Sequence, residues 1–239
     1  AELDKLGVKK IFLSGEPWPE SLRRKLKEAW NCPFVHDSYF MTEVGSIATE
    51  CRIFNGLHLN ETGVYTEIVD PKTGEAVGEG EEGELVFTPL DREGMPLLRY
   101  RSGDVSRFIP EPCECGWPMR RIARIKGRSD DAIKLGTAWN VFPSMIDTLM
   151  FEIPGLVDYQ LVVTEDGYKD LLTFRVEVEG PKDEVPSLVR GAMLKSTRMR
   201  FDIQDTKTIA EPVVEVLPPG SLGGDRQRKA KRIIDLREK

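Results

Sequence analysis

Along the first forty positions the apolar residues change their period twice. Residues 8–13 form a short apolar run that predicts a buried strand, closed by Ser14-Gly15-Glu16-Pro17 as a turn. From 19 to 30, Leu22, Leu26, Ala29 and Trp30 recur on one helical face. Residues 33–39 predict the next strand, so this opening stretch reads strand, helix, strand, the tail of an α/β layer.

The pattern from 56 to 128 is different, with short β-type segments over 63–69, 83–88, 104–109 and 121–125. Between the first two, Asp70-Pro71-Lys72-Thr73-Gly74 is turn chemistry: proline fixes φ and glycine admits positive φ. The acidic run 79–84 reads as a solvated hairpin tip. A domain boundary falls near Asp130 and Asp131, giving domains 1–129 and 130–239. Past it the pattern is α+β. A helix is predicted over 143–152, and strands over 159–164 and 171–178 are joined through Glu165-Asp166-Gly167. The second strand alternates Leu172, Phe174, Val176 and Val178 with Thr173, Arg175 and Glu177, a half-buried period of two. A helix over 183–198 and a strand over 208–216 follow, and then Pro218-Pro219-Gly220 breaks the chain before a basic tail, 225–239. The tail by itself reads as a solvated terminal helix or a nucleic-acid patch. Its glycines at 220, 223 and 224 give a flexible lead-in that suits delivery of a lysine to a site elsewhere.

Composition narrows the classes. The 239 residues carry 34 Lys and Arg against 40 Asp and Glu, a net charge of −6, which argues against nucleic acid as a partner. No apolar run reaches the ~20 residues that span a bilayer, so no membrane partner is expected. The first residues lack the basic-then-apolar layout of a secretion leader, and the expected location is cytoplasmic, where thiols stay reduced. The four cysteines are then structural, metal-bound or catalytic. Cys51, His58, Cys113 and Cys115 make up a Zn²⁺ donor set of three thiolates and one imidazole. Reduced thiols in loops, with His58 on a strand, are the alternative. Cys32 reads as a buried free thiol, and His36 as a strand histidine.

Four segments carry chemistry together: Tyr39-Phe40-Met41-Thr42-Glu43-Val44-Gly45, Tyr100-Arg101-Ser102-Gly103-Asp104, Lys126-Gly127-Arg128-Ser129-Asp130-Asp131, and Arg228-Lys229-Ala230-Lys231-Arg232. Each alone is weak; Asp104 by itself reads as a turn aspartate. Their order and separation resemble the adenylate-forming acyl-CoA synthetase superfamily. Ser14-Gly15-Glu16-Pro17-Trp18, Cys113-Glu114-Cys115-Gly116 and Asn140-Val141-Phe142-Pro143 resemble its phenylacetate–CoA ligase branch.

That resemblance implies the end of a large nucleotide-binding domain with a β-rich, zinc-containing subdomain, followed by a small mobile α+β domain. It implies an AMP-forming aryl- or acyl-CoA ligase using ATP, Mg²⁺ and CoA, with a small carboxylic acid as substrate and Zn²⁺ as a structural ion. By the same resemblance Thr42 contacts phosphate, Glu43 holds Mg²⁺, and Gly15, Glu16, Pro17 and Tyr39 line the nucleotide. Asp104 accepts from the ribose hydroxyls, Arg128 reaches the ribose or phosphate, Lys229 is the mobile catalytic cation, and Asp130 is the hinge. Two departures stand out. The family's Ser/Thr/Gly-rich phosphate loop, expected upstream of Tyr39, is not found, so the chain resembles a C-terminal half, with an upstream half or a second chain supplying the rest. Arg228 replaces an expected glycine before Lys229, which leaves Lys231 as the fallback. Two other functions remain open: a non-catalytic nucleotide-binding subunit, and an adenylating domain that loads a carrier-protein thiol.

Overall fold

The computed structural model describes residues 2–222 and 231–237. Two compact units divide the chain, Ala1–Asp131 and Ala132–Lys239. In the first, β1 (Lys10–Leu13), α1 (Glu20–Trp30) and β2 (Phe34–Met41) make the expected strand, helix and strand, except that β1 is not the buried strand expected: Phe12 is exposed and Ile11 and Leu13 are half-buried. β1 pairs with β2 in parallel, with Leu13 opposite Asp37. Helix α1 ends where Asn31 turns left-handed, at φ 46°, and its N–H caps the carbonyls of Lys27 and Glu28. The expected apolar face of α1 is only partly covered, since Leu22 and Leu26 are half-buried and Ala29 is exposed. Arg23 is buried there beside Ser21, because Glu50 receives its guanidinium at 2.9 and 3.0 Å.

The sheet continues through β3 (Gly45–Glu50), β4 (Leu57–Leu59), β5 (Val64–Val69), β6 (Glu82–Pro89), β7 (Tyr100–Ile109), β8 (Arg121–Ile122) and β9 (Gly127–Arg128). Its spatial order is β1-β2-β3-β4-β8-β7-β6-β5, with β9 on β7. Strand β3 has no counterpart in the sequence pattern, and β4 only in the reading that put His58 on a strand. Ile47, Leu57, Leu85 and Phe87 lie at the centre of the core. The acidic run is not wholly a solvated tip. Glu84 is buried, accepting from the Arg101 guanidinium and from Gly103 N–H at 3.0 Å, which satisfies the carboxylate inside the sheet.

The second unit opens with a hairpin, β10 (Ile133–Leu135) and β11 (Trp139–Val141), then α2 (Pro143–Met150). The long hairpin β12 (Leu156–Asp166) and β13 (Lys169–Val178) forms its centre. Helices α3 (Val185–Lys195) and α4 (Thr197–Arg200) precede β14 (Val213–Leu217), which starts later than the pattern predicts, and β15 (Ile233–Asp235). The sheet order is β14-β13-β12-β15, with both outer strands parallel to their neighbours. Leu172, Phe174, Val176 and Val178 are all buried against Ile146, Met150, Val189 and Met193, but the alternation fails at Glu177, which is also buried because the Gly220 N–H donates to its carboxylate at 2.9 Å. The end of the basic tail is not helical: residues 233–235 pair with Leu161–Val163. Lys229 lies outside the described residues, and Lys231 is exposed.

Candidate nucleotide and metal sites

Two irregularities aim the central side chains of the first unit. Across β2 and β3, Tyr39 faces Ala48 while Phe40 faces Ser46, so Ile47 is an extra residue on β3. Across β6 and β7, Val86 faces Arg101 and Glu84 faces Val105, so residues 102–104 bulge against the single Leu85. A bulge re-aims the side chains it carries. Ser102 fixes this one, its hydroxyl donating to the Leu85 carbonyl at 2.8 Å and accepting from Asp104 N–H at 3.0 Å. Gly103 supplies the φ of +78° that the turn needs.

The result is a contact between residues 65 positions apart: the Tyr39 hydroxyl donates to an Asp104 carboxylate oxygen. Burial and that carboxylate push the Tyr39 hydroxyl's pKa up, which keeps it a donor. Strand β9 sets Arg128 opposite Asp104. Arg128 donates to the Ser102 carbonyl at 3.0 Å and forks onto Asp130 at 3.0 and 3.3 Å. The Arg128 hydrogen bond holds the Asp130 carboxyl below its usual range. Tyr39, Asp104, Arg128 and Asp130 are therefore one linked group.

Thr42, Glu43 and Val44 form the turn between β2 and β3, three residues on from Tyr39. Buried Val44 ties that turn to the core, while Thr42 is exposed and Glu43 half-buried. Gly45, at φ +93°, leaves room for the Arg92 guanidinium, which a Cβ would meet at 2.8 Å. The exposed residues Gly15, Glu16 and Pro17 follow β1. Because β1 and β2 are parallel, this loop lies at the same carboxyl edge as the end of β2, the edge where α/β sheets bind ligands. Sequence reasoning did not single out Ser102, Glu84 or Arg92. The Ser-Gly-Asp run was the available signal for Ser102.

The second cluster joins Cys51, His58, Cys113 and Cys115, whose donor atoms all lie within 4.8 Å of one another. Cys51 Sγ is 3.7 Å from Cys113 Sγ, and Cys115 Sγ is 3.4 Å from His58 Nε2. Donors ~2.0–2.3 Å from one centre in a tetrahedron stand about 3.4–3.8 Å apart, so the spacing fits Zn²⁺. His58 Nδ1 lies 3.3 Å from the Met119 carbonyl, the orienting contact that leaves Nε2 for a metal. Ile53 and Trp117 backbone N–H groups point at Cys51 and Cys115 Sγ, each at 3.4 Å. Burial, followed by the neighbouring thiols, pushes the Cys51 thiol up to about 11. His58 lies on β4, and Cys32 is buried with its thiol donating to the Phe34 carbonyl.

Family profiles match both ends of the chain: AMP-binding enzyme over residues 1–88, and AMP-binding enzyme C-terminal domain over 138–237. The chain belongs to the adenylate-forming, AMP-binding family. Phenylacetate–coenzyme A ligases are similar to it, from Thermus thermophilus at 32% identity over 98% of this chain and from Aromatoleum evansii at 34% over all of it. The chain spans 55% of the length of each. Among solved structures, 2-hydroxyisobutyryl-CoA ligase in the postadenylation state, in complex with 2-HIB-AMP, gives a TM-score of 0.76 at 27% identity. That match covers 98% of this chain and 50% of that one. Anthranilate CoA ligase in complex with anthranoyl-AMP, at 16% identity and TM-score 0.64, shares the fold. Among the described residues of this family member, no helix is long and apolar enough to cross a membrane.

Proposed function

We propose that the protein carrying this chain is an AMP-forming ligase that activates an aryl or acyl carboxylic acid with ATP and transfers the acyl group to the thiol of coenzyme A. The observation that carries this reading is the linked group Tyr39–Asp104–Arg128 in the first unit, in a chain similar to phenylacetate–CoA ligases over nearly its whole length.

In the first half-reaction a carboxylate oxygen of the acid bonds to the α-phosphorus of ATP, and the bond to pyrophosphate breaks. In the second, the sulfur of CoA bonds to the acyl carbon, AMP leaves, and the thiol proton is released. Charge builds on phosphate oxygens, so the protein's work is positioning and electrostatic stabilisation. The Tyr39 ring and the Gly15–Glu16–Pro17 loop line the adenine, and Asp104 accepts from the ribose hydroxyls. Arg128 serves the ribose or phosphate, and Thr42 donates to the phosphate. Glu43 offers the hard oxygen that Mg²⁺ prefers, and the ion, when bound, neutralises charge on the leaving pyrophosphate. Lys229 adds a cation for adenylation alone, and Asp130 is the hinge that lets the second unit turn between the steps. Zn²⁺ held by Cys51, His58, Cys113 and Cys115 is structural, because four protein ligands leave no open position for a substrate.

The half-reactions test this in the complete protein. Lys229→Ala should cut acyl-AMP formation on the order of 100- to 1000-fold. Thioester formation from pre-made acyl-AMP should change far less, whereas Asp104→Ala should impair both steps. Equal loss in both steps for Lys229→Ala would overturn its role, and a silent Lys229→Ala beside a crippling Lys231→Ala would move that role to the neighbouring lysine.

A further inference from the structure

The three segments that bear the proposed nucleotide contacts meet a second time, away from Asp104. Trp18 closes the Ser14–Pro17 loop, Asp37 sits two residues before Tyr39 on β2, and Arg124 sits four residues before Arg128. Their side chains form one closed set. The Trp18 indole N–H donates to Asp37 Oδ1 at 3.2 Å, and Arg124 Nε donates to Asp37 Oδ2 at 3.1 Å. Arg124 Nη2 donates to the Trp18 carbonyl at 3.0 Å, and its guanidinium lies 4.0 Å from the centre of the indole ring. The buried Arg23 guanidinium packs over the same ring at 4.7 Å. Each member thus makes a directional contact with both others, and each belongs to a different segment.

We propose that Trp18, Asp37 and Arg124 are the positioning residues of the nucleotide site, locking the Gly15–Pro17 loop, the Tyr39 strand and the Arg128 strand into one register. The proposal rests on the nucleotide reading given above. Its physical basis is that the three segments are otherwise remote in sequence. Trp18 and Arg124 lie 106 positions apart, and a loop held at one point by two cations and a carboxylate is ordered before ligand arrives. Ordering completed in advance is not charged against binding. Lysine cannot replace Arg124, since one ammonium cannot fork to a carboxylate and a carbonyl while lying flat on an indole.

The test uses AMP as the probe, titrated calorimetrically into the complete protein, together with steady-state kinetics. Arg124→Gln and Trp18→Phe should each weaken AMP binding roughly tenfold, about the effect of one charge-assisted contact. KM for ATP should rise in step, while KM for CoA stays within twofold. A merely structural role would lower the fraction of active protein and with it the apparent kcat, and would move neither KM. Arg175→Gln, which breaks an exposed ion pair with Glu215 in the second unit, is the neutral comparison. Asp104→Ala separates the two ideas. If it weakens AMP binding while Arg124→Gln and Trp18→Phe stay within twofold of the unaltered protein, the positioning proposal is overturned and the site stands. If Asp104→Ala binds AMP normally, the nucleotide site is misassigned and the positioning role falls with it. Should Arg124→Gln not fold, Trp18→Phe decides, because it keeps an aromatic ring for both guanidinium groups and removes the donor to Asp37.

Discussion

Gly103→Ala is the perturbation whose size follows most directly from the geometry. Gly103 has φ +78°, and a Cβ there would lie 2.8 Å from Arg128 Nη2 and 3.1 Å from its Cζ. Gly74 has a similar φ of +73° with nothing within 4 Å. Putting alanine in the left-handed region costs ~1–2 kcal/mol. Stiffening the unfolded chain returns ~0.4–1 kcal/mol, so Gly74→Ala should lose about 1 kcal/mol. Gly103→Ala carries that loss and also forces the guanidinium aside. The hydrogen bond from Arg128 to the Ser102 carbonyl then breaks, a further ~0.5–1.5 kcal/mol. Urea unfolding of the first unit should therefore separate the two variants by about 1 kcal/mol. AMP titration should separate them more clearly, with affinity falling roughly tenfold for Gly103→Ala and unchanged for Gly74→Ala. Equal stability losses with normal AMP binding in both would show that Arg128 neither crowds Gly103 nor serves the nucleotide.

Glu50→Ala takes the buried carboxylate from the 3%-exposed Arg23 guanidinium, which keeps only Glu20 and the Val35 carbonyl, and orphans the Asp37 N–H that Glu50 accepts at 2.7 Å. It should lower the stability of the first unit by ~1–3 kcal/mol, and no loss in urea unfolding contradicts the buried pair. Asp130 should titrate below the ordinary aspartate range by NMR, since Arg128 favours its charged form. The stability it adds is present above the unfolded-state pKa and is lost as pH falls through the folded value. Arg128→Gln should raise that titration, and an unmoved Asp130 signal breaks the assignment. Protein purified without metal-affinity resin should contain about one Zn per chain, with Cys113→Ser losing it and the β-rich region losing stability. Zn content unchanged in Cys113→Ser sinks the ligand set.

What could be read in advance followed the strength of local patterning. The β12–β13 hairpin announces itself through seven alternating positions, 172–178, and an Asp-Gly turn, and α1 through its period. Strand β4 entered only as the alternative reading of His58, since Leu57-His58-Leu59 is too short for a period of two to register. Glu84 looked solvated because it sits in a run of acids. Only its pairing opposite Val105, beside the bulge, brings Arg101 and Gly103 N–H within reach. In the α1 helix the charge, not the apolar stripe, is the buried feature, because Glu50 lies 27 positions away on β3 and leaves no mark on the helix's own pattern. The site divides in the same way. Tyr39, Asp104 and Arg128 stand in short ordered segments whose resemblance points to them. The bulges that aim them, and the joining of Trp18, Asp37 and Arg124, arise from strand register and so cannot be read from any single segment.

The last strand has a consequence for how the second unit comes into being. Ile233 lies parallel to Leu161, 72 positions earlier, and their neighbours continue the ladder to Asp235. Arg232, just before it, donates to Asp147 at 2.8 Å, the carboxylate that also receives the Tyr159 hydroxyl at 2.6 Å. A chain emerging from the ribosome can form the β12–β13 hairpin at once, but it carries β12 as a bare edge until residues 232–235 arrive. Such non-local closure makes for slow folding and leaves an apolar edge open to wrong partners meanwhile. Truncation at residue 231 should therefore yield a sheet that self-associates. The few residues that follow Lys229 thus cover the middle of the β12 edge, Leu161–Val163, with a three-residue outer strand.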